Sequence, residues 1–189
     1  MPAHEQESSS RGPVARGDAR LLAALLLAAA LLGGAATGYN ENRSIALVRA
    51  LAHGRLWIDP DAWTTVDRAI KDGHFYSGGP PGLAFALLPA YLVLERVLDG
   101  LPLVYALTFL GAGVPLALGA LGVRRAASAV SVPREHAELV ALAHSLGTMA
   151  LPFATRLFAH SLVVCLLAWA FALVLERRRL ALAGTLAAS

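Results

Sequence analysis

The chain has 189 residues, 57% of them hydrophobic and only 15% charged, against about 45–50% and about 25% in soluble domains. One core of this size cannot hide so much apolar side chain, so much of it is expected to face lipid, and disorder of the bulk is excluded on the same grounds. Lys+Arg 16 against Asp+Glu 13 leaves +3, which is no nucleic-acid signal, and the lone Cys165 allows neither an intramolecular disulfide nor a cysteine-based metal site.

Residues 1–19 are polar, with Ser8-Ser9-Ser10 and little periodicity, and are expected to form a disordered cytoplasmic tail. No charge occurs between Arg20 and Glu41. As a helix, Leu21 to Thr37 would extend about 26 Å, which nearly spans a bilayer core. The cluster Gly33-Gly34-Ala35-Ala36 also fits a signal-peptide cleavage site, but the polar leader is long and further apolar runs follow.

Four more uncharged runs cover Gly73 to Leu94, Gly100 to Val123, Leu139 to Thr155 and Leu157 to Leu175. If all of them crossed with the N-terminus cytoplasmic, then Arg124, Arg125, Arg134 and Arg177-Arg178-Arg179 would fall outside. That inverts the positive-inside rule. If instead the run after Gly73 lies at the outer interface as a short helix over 82–98, every arginine cluster moves inside. Pro80-Pro81 opens that helix, Pro89 interrupts it, and Glu95, Arg96 and Asp99 make its end unsuited to hydrocarbon. The expected fold class is therefore an all-α integral membrane protein with spans over 21–38, 101–122, 138–154 and 158–175 and one external loop over 39–100. Residues 20–178 make up this domain. Residues 179–189 read as the start of a further span, as in the N-terminal part of a longer chain. Abundant Ala, Leu and Arg with a single Lys suggests a GC-rich bacterial genome, and the arginine placement puts the N-terminus on the cytoplasmic side, so the expected location is a bacterial inner membrane, multi-pass.

Within the loop, Ile45, Val48, Leu51 and Ala52 recur at helical spacing opposite Arg43, Arg49 and His53, which predicts an interfacial amphipathic helix over 42–54. Trp57 and Trp63 suit the headgroup level. Glu41, Asp59, Asp61, Asp67 and Asp72, with His74 and Tyr76, concentrate acids beside a cationic helix. Such a cluster suits a phosphate-bearing substrate and a general base, whereas each acid alone reads as a solvated loop residue. Asp59-Pro60-Asp61 has the form of a carboxylate pair for a divalent cation or of an ordinary proline turn, and no metal is expected there. No serine sits in a nucleophile elbow, and Gly78-Gly79 lacks the phosphate-loop pattern, so it reads as a flexible turn into a proline-started helix. Arg156 and His160 stand at the outer start of the last span. They form either a phosphate-contacting pair or a snorkelling arginine beside a packing histidine. His144, mid-span, reads as a packing residue.

Three stretches together resemble the N-terminal part of the GT-C superfamily of membrane glycosyltransferases, in the group of protein O-mannosyltransferases and lipid A aminoarabinose transferases. Asn40-Glu41-Asn42-Arg43 stands where that group has Asp-Glu-x-Arg. The segment from Asp67 through Gly73, Tyr76 and Ser77 to Pro80-Pro81-Gly82 is similar to its D-x-A-x-x-x-G-x-x-Y-S-x-K-x-P-G loop, and Gly147-Thr148, Pro152 and Thr155 to His160 resemble its passage into the fourth span. The resemblance implies a multi-span bundle of GT-C type that transfers a sugar from a polyprenyl-phosphate donor to an acceptor at the outer face, inverting, with an acid of the first external loop as base. Two positions depart from the pattern. The leading Asp is Asn40, which leaves the catalytic role to Glu41 or Asp67, and the Lys before the prolines is Gly79, which leaves Arg43, Lys71 or Arg156 to contact phosphate. Asn40, Arg43, Lys71, His74, Tyr76, Arg156 and His160 are thus the candidate substrate-binding residues, with no cofactor and no nucleic acid implied. The alternative is a non-catalytic multi-span protein, transporter-like, a scaffold or an inactive remnant.

Single cysteines at positions 75, 99 and 125, labelled from outside intact cells, test the topology. Modification is expected at 75 and 99 and protection at 125, and labelling at 125 would overturn the layout.

Overall fold

The computed structural model describes residues 12–35, 38–58, 66–176 and 188. In chain order these form α1 (Gly12–Leu32), α2 (Tyr39–Ala52), a hairpin of β1 (Arg68–Lys71) and β2 (His74–Ser77), α3 (Gly82–Leu94), α4 (Gly100–Thr108), a π-helical turn (Phe109–Gly113), α5 (Val114–Ala129), α6 (Arg134–Leu146), α7 (Ala150–Ala154) and α8 (Ala159–Leu175). The chain is mostly helical. α4, the π turn and α5 run on as one 30-residue helix, the one among the described residues long and apolar enough to cross a membrane.

That long helix is the spine. At its α5 end, Leu21 and Leu25 of α1 pack against Ala117, Ala120 and Ala141. α8 lies along α5 at close range, because a Cβ on Gly119 would come 3.2 Å from the Cys165 Cα and one on Gly122 would come 3.1 Å from Ala168 and Trp169. The Trp169 indole donates to the Leu118 carbonyl at 2.9 Å, and Arg125 binds Glu176 through Nε at 2.5 Å and Nη2 at 3.0 Å. At the α4 end a second core joins Ile45 and Val48 of α2, Leu83 and Leu87 of α3, Val104 and Leu107 of α4, and Leu157.

Several expected elements take different shapes. Residues 12–19, read as part of a disordered tail, belong to α1, which opens on Gly12-Pro13; residues 1–11 lie outside the described ones. The helix over 21–38 stops at Leu32, since Gly33 closes on the Ala29 carbonyl and the Gly34 N–H turns away to the Thr155 carbonyl at 3.0 Å. Its uncharged part is then about 18 Å long, short of a bilayer core. The span over 138–154 is broken in two. Gly147 ends α6, and Thr148 accepts from the Ala150 N–H at 3.1 Å, starting α7 afresh. The run over 101–122 lies within the long helix Gly100–Ala129, and 158–175 forms α8, an apolar helix of 17 residues that is shorter than a candidate span. Residues 179–187 and 189, expected to open a further span, lie outside the described residues.

The external loop holds more structure than its pattern predicted. α2 is not an amphipathic helix lying on lipid: Ile45, Ala46, Leu47, Val48 and Ala50 are all buried in the second core. It ends at His53, whose Nδ1 lies 2.8 Å from the Arg49 carbonyl, followed by Gly54 at φ 70°. Pro89 does not interrupt α3. It sits on an exposed position and the helix runs through it to Leu94. The hairpin makes the fold not purely α. Asp72 and Gly73, at φ 50° and 79°, form the two-residue turn that the strand twist demands.

The close α5–α8 contact sets a stability test. Gly122→Val should lower the thermal unfolding midpoint by an amount equivalent to about 1–3 kcal/mol, the cost of overpacking, while Leu118→Ala at an exposed position should shift it little.

Candidate functional site

The site is assembled where the first turn of α2 meets the segment before α8. Glu41, in that first turn, is 3% exposed. Its carboxylate folds back over Gly38, where a Cβ would lie 2.7 Å from Oε2, and its Oε1 accepts from Arg156 Nη1 at 3.4 Å. An acid at a helix N-terminus is favoured by the exposed N–H groups there. Half of Arg156 remains open to solvent.

Two residues on, about half a helical turn from Glu41, Arg43 forms an ion pair with Asp67 at the foot of the hairpin. Two glycines make the fit. A Cβ on Gly79 would lie 2.3 Å from the Arg43 Cζ, and one on Gly78 would lie 2.4 Å from Asp67 Oδ1. The Gly78 N–H also donates to the Asp67 carbonyl at 3.0 Å. The guanidinium therefore lies against bare backbone, in the place a side chain at position 79 would need.

Asn40, Arg43 and Ser44 face Pro80, Phe158 and His160 across a cleft of about 470 Å³. The His160 ring stacks on Phe153 with centroids 4.4 Å apart at 14°, and meets Phe158 edge-on at 5.8 Å and 88°. His160 and Val164 also wall a second, apolar cavity of about 370 Å³ that holds His144, Thr148, Met149 and Ser161. This cleft, polar only where Asn40, Arg43, Ser44 and His160 line it and otherwise walled by Leu157, Ala159, Val163 and Val164, shares a wall with the apolar cavity. Ser161 is buried, and its Oγ finds no partner among the described residues.

The structure gathers Asn40, Glu41, Arg43, Asp67, Arg156 and His160 into one region and leaves three expected residues elsewhere. Lys71 and His74 pair across the tip of the hairpin, with His74 on Trp57 at 4.7 Å. Tyr76 lines a separate groove of about 290 Å³ with Leu47, Leu56 and Phe85, on which Gly79 also borders. The reason is strand alternation together with the tight turn, which carries residues 71–74 to the far end of the hairpin. Asp59, Asp61 and Trp63 lie outside the described residues, and no group of three or more metal-ligating side chains occurs among the described ones. Ser44, Phe153, Phe158 and the glycine pair were not foreseen as site residues. The adjacent glycines before two prolines were visible, but their use as a bed for a guanidinium was not.

This arrangement offers a planar cation with amide and hydroxyl groups beside it, a carboxylate in contact with that cation, and an apolar cavity next door. Arg156→Met should destabilise the protein by about 1–3 kcal/mol, because it strips a buried carboxylate of its cation. Adding Glu41→Gln should recover part of that loss in a double-mutant cycle read by thermal unfolding. No protein-family model, no curated protein and no solved structure matches the chain.

Proposed function

We propose that this chain is the N-terminal part of a multi-span membrane glycosyltransferase of GT-C type, transferring a sugar from a polyprenyl-phosphate donor to an acceptor hydroxyl at the outer face of a bacterial inner membrane. The observation that carries this reading is Arg43, in contact with Asp67 and, with Asn40 and Ser44, forming the polar edge of a largely apolar cleft that shares a wall with an apolar cavity. A guanidinium fork suits phosphate, and a donor with a charged head and a prenyl chain needs polar and apolar space side by side. Exposed Val163, Leu167, Phe171 and Val174 along α8 and Leu27 and Leu31 on α1 supply apolar surface suited to lipid or to further helices.

In this scheme the donor phosphate lies on Arg43 with Asn40 and Ser44 beside it, and the chain extends past His160 toward the apolar cavity. Asp67, with its side chain about a third exposed, takes the proton of the acceptor hydroxyl. The acceptor oxygen forms the new bond at the anomeric carbon from the face opposite the phosphate. The old carbon–oxygen bond breaks with its electron pair leaving on the lipid phosphate. Glu41, closed off from solvent, holds Arg156 toward the same region, and no metal or other cofactor enters the scheme.

The test is consumption of a radiolabelled polyprenyl-phosphate hexose by membranes carrying the protein. Asp67→Asn should slow release of polyprenyl phosphate by about 10²–10⁴-fold, the contribution of a general base. Unchanged release from a variant that combines Asp67→Asn with Glu41→Gln would overturn the assignment. The non-catalytic reading predicts no release from the parent protein at all.

A further inference from the structure

We propose that Arg43 is a shared cation contested by Asp67 and the leaving phosphate, so that proton uptake by the carboxylate releases the guanidinium to the phosphate as its charge grows. This rests on the reading above and adds to it the coupling between the two halves of the reaction.

The geometry gives Arg43 two neighbours of opposite kind. On one side it pairs with Asp67; on the other it lines the cleft with Asn40 and His160. Its side chain is 18% exposed and bedded on Gly79, with Cζ, Nη1 and Nη2 all within 2.6 Å of where a Cβ would stand. The head of the side chain can therefore slide across flat backbone between its neighbours, with no side chain at position 79 in the way. Asp67 meanwhile has Oδ2 against Arg43 and Oδ1 against Gly78. A proton arriving at the Asp67 carboxylate removes the charge that holds the guanidinium.

The charges change in step. A sugar phosphodiester carries one negative charge, and the monoester that leaves approaches two at neutral pH. When the acceptor O–H proton moves to Asp67 Oδ2, the carboxylate charge disappears, and the electron pair of the breaking carbon–oxygen bond places a second charge on the phosphate. The best partner of Arg43 thus passes from Asp67 to the phosphate during the reaction. An interaction that strengthens as the bond breaks accelerates the step, whereas one of constant strength does not.

The neutral isostere Asp67→Asn imitates the protonated base, which gives a binding test on the full chain in detergent with two probes, farnesyl phosphate and its methyl diester. The substitution should tighten the monoester by about two- to fivefold, the scale of a partly exposed ion pair, and the singly charged diester by distinctly less, while Arg43→Gln weakens both. A second measurement needs no variant: farnesyl phosphate should increase carbodiimide-driven labelling of Asp67 in the parent protein. Asp67→Asn binding both probes as the parent does, or labelling that falls on adding the monoester, would overturn the exchange. Sugar transfer without any Asp67→Asn tightening removes this inference alone. Tightening and labelling without sugar transfer remove the glycosyl-transfer reading and with it the coupling, and leave only a phosphate site at which Asp67 and the phosphate compete for Arg43.

Discussion

Arg43 leaves α2 near its start and reaches Asp67 across 24 residues of chain, and both partners rest on backbone that carries no Cβ. This contact fixes the loop against the helix. The ion pair alone is worth little where it is partly exposed, about 0.2–1 kcal/mol, so its geometry must be set by something stronger. That support is the burial of α2: Ile45 and Val48, at 2% and 0% exposure, are held by α3, α4 and Leu157. Each fully buried aliphatic side chain contributes about 1.5–3 kcal/mol, and the polar residues one turn earlier are carried into position by that packing.

The same division of labour recurs across the molecule. α5, α1 and α8 pack through small residues, with Gly119 and Gly122 letting α8 approach the spine until backbone meets side chain. Close approach through small residues is the means by which helices associate when neighbours of equal hydrophobicity offer no preference. The π turn at Phe109–Gly113 sits between the two cores, with Gly111 facing Leu83, Leu87 and Leu157 and Gly113 facing Ala29. Such turns mark places where a helix serves two packing registers, and here the register changes between the α1 contact and the α3 contact.

Ion pairs stand at both ends of this scaffold, Arg124 with Asp18 and Arg125 with Glu176 at the α5 end, and the cleft lies at the α2 end. At that end two carboxylate–guanidinium pairs, Glu41 with Arg156 and Asp67 with Arg43, join α2 to two other chain segments, and they differ in access. Glu41 is shut under Gly38 and the second core, whereas Asp67 stands at the foot of an exposed hairpin. Burial thus leaves Glu41 closed off from solvent and Asp67 accessible, a difference set by packing and not by residue type.

Composition and charge spacing by themselves determined that the chain is helical and apolar, that Gly100 to Val123 lies in its longest apolar helix, that Gly82 starts a short one, and that Glu41, Arg43 and Asp67 belong to one segment rich in acids and cations. The hairpin of Arg68–Lys71 and His74–Ser77 was not read from its Asp72-Gly73 turn, and it moved Lys71 and His74 away from the cleft. The tertiary structure alone decided that α2 is buried instead of lying on lipid, because a helical stripe of Ile45 and Val48 is the same whether lipid or Leu83 and Leu107 cover it. It alone decided the pairing of Arg43 with Asp67 and of Glu41 with Arg156, and the bed of Gly78 and Gly79 beneath the first pair. Such contacts join residues far apart in the chain, and only packing of the intervening elements sets their distance.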